Sequence, residues 1–264
     1  MVPDALRPVC TGVLRQLPRG KALAALVFVQ GCEVLALEGT GYFSSQTRPC
    51  SSCLETHHRD GSITSAPQLL GAALIHPDRR AVIPLMPEAI LKAAGREKNE
   101  CARNAAQRFL TKLRRAPPQL QVIVTEAGRS SPAPHRETLQ AYGCHYLLGV
   151  NEGDPASLFA HVHAAELAGR VQHYARHDQA TGITPRFRFL HAVPLNASHP
   201  ERRVNFLEYW ESRAAHVQHG SWVTDWRVPH ANVETLLRGG RARGKIENAT
   251  FKTLKNQGYH FEHH

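Results

Sequence analysis

Two apolar runs in this chain end in the same way. Val34-Leu35-Ala36-Leu37 stops at Glu38-Gly39-Thr40, and Leu120-Gln121-Val122-Ile123-Val124-Thr125 stops at Glu126-Ala127-Gly128. A short apolar run bounded by turn residues reads as a buried strand. An acid at its tip is held by the sheet and open to solvent, which is where metal-holding carboxylates commonly stand. A lone glutamate there is more often a solvated turn residue, so the rest of the chain has to decide between the two.

The neighbouring patterns alternate between strand and helix. Residues 5–24 read as helical with a break at Pro18-Arg19-Gly20, and 25–31 and 33–39 read as strands. Residues 46–64, polar and rich in Cys and Ser, read as a loop. "LLGAALIH" and "AVIPLM" form a hairpin around Pro77-Asp78-Arg79-Arg80. From Asn99, Cys101, Ala102, Ala105, Ala106, Phe109, Leu110 and Leu113 fall on one helix face, with Pro117-Pro118 as the stop. The strand at 120–128, a helix near 134–142, the strand "HYLLGV" and a helix at 155–168 follow, and this order indicates an α/β fold. Residues 170–227 break the alternation: "RVQHYARH", "RFRFLHAVPL", "VNFLEYW" and "HGSWVTDW" read as short strands with no helices between them. A last helical segment runs from Ala231. The expected organisation is a helical lead-in at 1–24, a core at 25–169, a β-rich insertion at 170–227 and a final helix of the core at 228–264.

Charge narrows the partners. The 264 residues carry 32 Lys and Arg against 22 Asp and Glu, a net charge of +10. An Arg-rich surface of this sign favours a polyanion, most often nucleic acid, over an indifferent basic surface. No apolar run approaches the ~20 residues of a membrane helix and no secretory leader opens the chain, so a cytoplasmic protein without membrane contact is expected. Six scattered cysteines (10, 32, 50, 53, 101 and 144) do not make a disulfide scaffold, and in a reducing compartment they are thiols or metal ligands.

Three carboxylates stand out by position: Glu38 and Glu126 at strand tips and Glu247 on the last helix. Acids from two strands and a helix that converge at a sheet edge can hold two Mg²⁺ ions for in-line attack on a phosphodiester. Around Glu247 lie Arg241, Arg243, Lys245, Lys252 and Lys255, a basic face that suits DNA phosphates. A solvated helix face is the plainer alternative for the same five residues.

"LEGTGYFSS", "GAALIHPDRRAVIPLMPEAI", "KNECARNAAQRFL", "NFLEYWESR" and above all "KIENATFKTLKNQGYHFEH" resemble bacterial insertion-sequence transposases. The family concerned is the Asp-Asp-Glu class with a Tyr-Arg-Glu-Lys signature, and the likeness covers nearly the whole chain. It implies a ribonuclease-H-like core with a β-rich insertion before the last, Glu-bearing helix. It further implies Mg²⁺-dependent DNA cleavage and strand transfer, with transposon ends and target DNA as partners, and a homodimer on DNA.

Position by position, the likeness puts the family's first Asp at Glu38, its second at Ala127 and its Glu at Glu247, with Glu126 matching an acid that relatives often carry one place earlier. The signature Arg is Arg243. The signature Tyr falls on Gly240, and the signature Lys falls on Leu254, with Lys255 one place late. Gly220 and Gly244 stand where relatives tend to carry aromatics, and Ala66-Pro67 where they tend to carry Tyr-His. Glu38 is a methylene too long for the strict geometry of Mg²⁺, and Glu126 faces away from Ala127 in an extended strand. Catalysis is therefore expected to be impaired, in a truncated and degenerate copy. The alternatives are a DNA-binding remnant without catalysis and a zinc-stabilised interaction protein. The zinc reading rests on Cys50 and Cys53 with His58 behind them, and Cys101 as the fourth ligand of a tetrahedron. Two loop thiols without metal are the simpler account.

Overall fold

The computed structural model of the chain describes residues 7–19, 23–41, 43–47, 53–91, 102–115, 119–127, 133–152, 156–195, 200–213, 216–259 and 261. They belong to two compact units, Met1–Gln121 with Arg243–His264 and Val122–Ala242. No helix among the described residues is long and apolar enough to cross a membrane.

The first unit holds α1 (Arg7–Arg19), β1 (Val27–Val29), β2 (Cys32–Gly41), β3 (Leu54–His57), β4 (Ile63–Ala66), β5 (Gln68–Ile75), β6 (Val82–Ile90) and α2 (Ala102–Leu113). The chain's end returns to it as a π-helical stretch, Ile246–Phe251, and α6 (Lys252–Asn256). The strands run β6-β5-β2, with β1 paired to β2, all antiparallel. Gln30 and Gly31 both have positive φ (49° and 80°) and join β1 to β2 by a two-residue turn of the twist hairpins prefer. The stretch expected as a loop contains the β3–β4 hairpin instead. Thr56, Ile63 and Thr64 are β-branched and favour strands, and Gly61 (φ 83°) turns the chain while the Asp60 carboxylate accepts from Ser62 N at 2.9 Å.

Both faces of this sheet are covered. Glu88 on β6 receives Lys112 of α2 at 2.9 Å, and Glu88 is paired with Leu70 of β5. Gly71, the next residue, points to the opposite face and meets Phe251 of the terminal helix. Packing from two sides explains why Val34 to Leu37 are all buried rather than alternating.

The second unit holds β7 (Val122–Glu126), α3 (Ala133–Ala141), β8 (His145–Val150), α4 (Ala156–Leu167), β9 (Gln172–Ala175), β10 (Arg186–Pro194), β11 (Arg203–Arg213), β12 (His216–Thr224) and α5 (Val233–Ala242). Its strands run β7-β8-β12-β11-β10-β9, parallel for the first pair and antiparallel beyond. The fold is thus mixed α/β, and the four strands expected between 170 and 227 are present as β9 to β12. Glu126, Leu148, Val223 and Phe206 share one cross-strand row and so one face, which α3 and α4 cover through His135 and Phe159. Trp222, one residue before Val223, lies on the other face under α5.

Candidate functional site

Glu38 stands near the end of β2, directly opposite Gly71 of β5. A Cβ at Gly71 would lie 2.5 Å from Phe251 Cζ, so the absence of a side chain there is what lets the ring sit against the sheet. That ring brings the terminal helix onto the strands that carry Glu38. Arg243, 205 residues further along the chain, donates a hydrogen bond and ion pair to the Glu38 carboxylate. The pair is roughly three-quarters buried, with side chains 29% and 23% exposed. Glu247 lies on the same segment in the π-helical stretch, with its side chain in solvent. Short π segments recur where a helix presents functional groups.

Lys245 has a different task from the phosphate contact expected of it. Its ammonium donates to the carbonyls of His76, Pro77 and Arg79 at 2.6, 2.6 and 2.7 Å, which occupies all three of its N–H groups. Burial pulls its pKa below the usual lysine value, with Asp78 opposing. Lys245 is a clamp on the β5–β6 turn. Lys245→Met should therefore cost ~1–2 kcal/mol in urea unfolding, more than the ~0.5 kcal/mol of an ordinary surface change. The salt dependence of any DNA binding should stay as it is, and a neutral effect on unfolding would refute the clamp. Lys252 donates to Asn248 Oδ1 at 2.6 Å and is exposed, while Lys255 is half-buried.

In the second unit, Glu126 is the last residue of β7 and is buried. Its carboxylate takes His135 Nε2 at 2.9 Å, on the α3 side of the sheet. Ala127 follows it, half-buried and outside the strand. Arg241 lies on the α5 side, where it donates to Gln218 Oε1 at 2.7 Å and its guanidinium covers Tyr209 at 5.6 Å from the ring centre. The Tyr209 hydroxyl donates to Glu211, and burial with that carboxylate pushes its pKa up to about 12.

Gly220 and Gly240 turn out to be two walls of one slot. A Cβ at Gly240 would come within 2.5 Å of Trp222 Nε1, and one at Gly220 within 2.5 Å of Trp222 Cη2. The indole fills the space in front of the position that the resemblance assigns to the signature tyrosine. Gly244 has no such demand, because a Cβ there would meet nothing closer than Asn248 Nδ2 at 3.9 Å.

Two Mg²⁺ ions need several carboxylates free to share them. Glu38 is engaged by Arg243, Ala127 has no donor atom, and Glu126 is buried against His135. Glu247 alone presents its carboxylate to solvent. These residues do not fit the metal pair that the resemblance implies. Of the four residues named for zinc, Cys50 and Cys101 lie outside the described residues. Cys53 is buried, and His58 Nε2 is 2.7 Å from Thr64 Oγ1. Among the described residues, no three His, Cys, Asp or Glu side chains come together. The sequence reading missed the Lys245 clamp, the Phe251 anchor, the Trp222 slot and the His135 partner. Gly71, a glycine inside an apolar strand, was the one local signal of a close approach. No protein-family model matches the chain, and no curated protein matches it.

Proposed function

We propose that this protein is a DNA-binding derivative of an Asp-Asp-Glu transposase core, and that it holds DNA without cutting it. What supports the reading is the meeting of Arg243 with Glu38. Two residues that the resemblance assigns to one centre, far apart in the chain, are in contact, and the carboxylate is already neutralised by a guanidinium. Affinity for DNA then comes from phosphate contacts around the terminal helix, in line with the net charge of +10. It should be largely independent of sequence.

The test has two arms on the same preparation. Binding to a duplex should weaken steeply with salt, log K falling by ~0.9 for each phosphate neutralised, and Lys252→Ala with Lys255→Ala should flatten that slope. Supercoiled plasmid should stay intact with Mg²⁺ or Mn²⁺. Nicking that disappears in Glu247→Ala would restore the catalytic reading. Absence of salt-dependent binding would remove DNA altogether and favour an interaction protein.

A further inference from the structure

We propose that Glu38 and Arg243 serve as each other's counter-ion, the guanidinium in place of a divalent cation and the carboxylate in place of a DNA phosphate. The DNA part rests on the function proposed above; the cation part does not. The centre is closed to both ligands while the pair holds.

The argument starts from what each group would need. A carboxylate near the end of a strand attracts a cation, and a divalent ion binds through its oxygens. Arg243 takes one of those oxygens through NH1. A guanidinium stays charged under all ordinary conditions and presents a planar fork that matches a carboxylate as well as a phosphate. It therefore competes with a metal for Glu38, and Glu38 competes with DNA for it.

The surroundings hold the pair in place from both ends. Phe251 against Gly71 seats the helix on β5 beside Glu38, and Lys245 ties the start of the same helix to three turn carbonyls. Arg243 lies two residues before Lys245, so its backbone has little room to withdraw. Opening the pair needs only a side-chain rotation, because both side chains keep an exposed portion. A phosphate approaching from solvent can take the guanidinium without unfolding the helix.

The proposal predicts that removing a negative charge and nothing else strengthens DNA binding in a specific way. Glu38→Gln in the full chain should tighten binding to a 30-base-pair duplex by about two- to fivefold at low salt, the worth of a partly exposed ion pair. It should also steepen the salt slope by ~0.9, the signature of one more phosphate contact. Adding Arg243→Gln should cancel both changes. A Glu38→Gln protein, folded by circular dichroism and with an unchanged slope, would overturn the proposal, as would a steeper slope that survives in the double variant.

The second arm uses Mn²⁺ alone, read by electron paramagnetic resonance. The parent should show no Glu38-dependent Mn²⁺ site, and Arg243→Gln should gain one that Glu38→Gln then abolishes. Should Arg243→Gln fail to fold, Arg243→Lys, which loses the fork but keeps the charge, is compared with the parent for weak Mn²⁺ binding at Glu38. A parent that already binds Mn²⁺ through Glu38 refutes the inference, and so does an Arg243 variant that gains no site. If no form of the protein binds DNA, the proposed function fails, and the Mn²⁺ arm still decides whether the pair excludes a cation.

Discussion

Gly240→Ala should destabilise this protein, although alanine is the better helix former, and Gly240→Tyr should destabilise it further. Inside a helix, alanine gains ~1 kcal/mol over glycine. Against that gain stands the slot: the new Cβ would lie 2.5, 2.8 and 2.9 Å from Nε1, Cε2 and Cδ1 of Trp222. The contact is with a rigid ring rather than the end of a flexible chain, and Gly220 closes the other side. Overpacking of this kind costs ~1–3 kcal/mol, so the net sign should be unfavourable. Trp222 is only 9% exposed, and truncating it to Ala should itself cost ~3–5 kcal/mol. The discriminating quantity is the coupling. In a Trp222→Ala background Gly240→Ala should become neutral or favourable, giving an interaction of about 1–3 kcal/mol in a double-mutant cycle. Urea unfolding of the four proteins measures it. A Gly240→Ala variant more stable than the parent would show that the indole yields freely, and the slot would not be a packing constraint.

Along the sequence, Gly220 and Gly240 are two separate positions where the resemblance would place an aromatic side chain. In the fold they are the two contacts of one buried indole, so a single packing arrangement accounts for both. Gly244 differs, since nothing near it requires a glycine, and its cost to the helix has no visible return.

Legibility followed the range of the interaction. Strands β2 and β7 could be read because their burial comes from continuous apolar runs, and α2 because its apolar residues repeat at helical spacing. The β3–β4 hairpin was hidden by its Cys, Ser and His content, which outweighed a short β-branched pattern. In the site, Glu38, Arg243 and Glu247 were legible as positions, but the pairing of the first two was not. A basic residue beside an acid on a helix looks the same whether its charge goes to solvent, to a phosphate or to a strand 205 residues away. Lys245 shows the same ambiguity, resolved by three carbonyls that no side-chain pattern records. Glu126 was expected at an open strand tip and is buried instead, because its partner His135 comes from a helix that must first be folded back over β7.

Phe251→Ala should have the second large effect, and it should be local before it is global. The ring is 7% exposed and seats against Gly71, where no other side chain can approach as closely. Removing it forfeits ~3–5 kcal/mol of transfer and packing free energy. That is a fifth or more of the ~5–15 kcal/mol by which a domain is stable, so the protein should be markedly weakened. The loss falls on the terminal segment, whose other anchors among the described residues include buried Ile246, Lys245 on the β5–β6 turn and Arg243 on Glu38. Alpha-helix α6 buries no residue of its own, so it depends on the ring ahead of it. Amide exchange in 246–256 should therefore accelerate more than in β2 or β5, as expected when one segment opens below the global unfolding free energy. DNA affinity should fall with it, since Lys252 and Lys255 lose a common frame. Phe251→Leu should recover part of both effects, because it keeps an apolar group over the glycine. Exchange rates in 246–256 unchanged by Phe251→Ala, together with less than ~1 kcal/mol lost, would mean that the helix is held by its polar contacts and Ile246. In that case the Arg243 and Lys245 contacts, rather than the Gly71 niche, would be what keeps the terminal segment on the sheet.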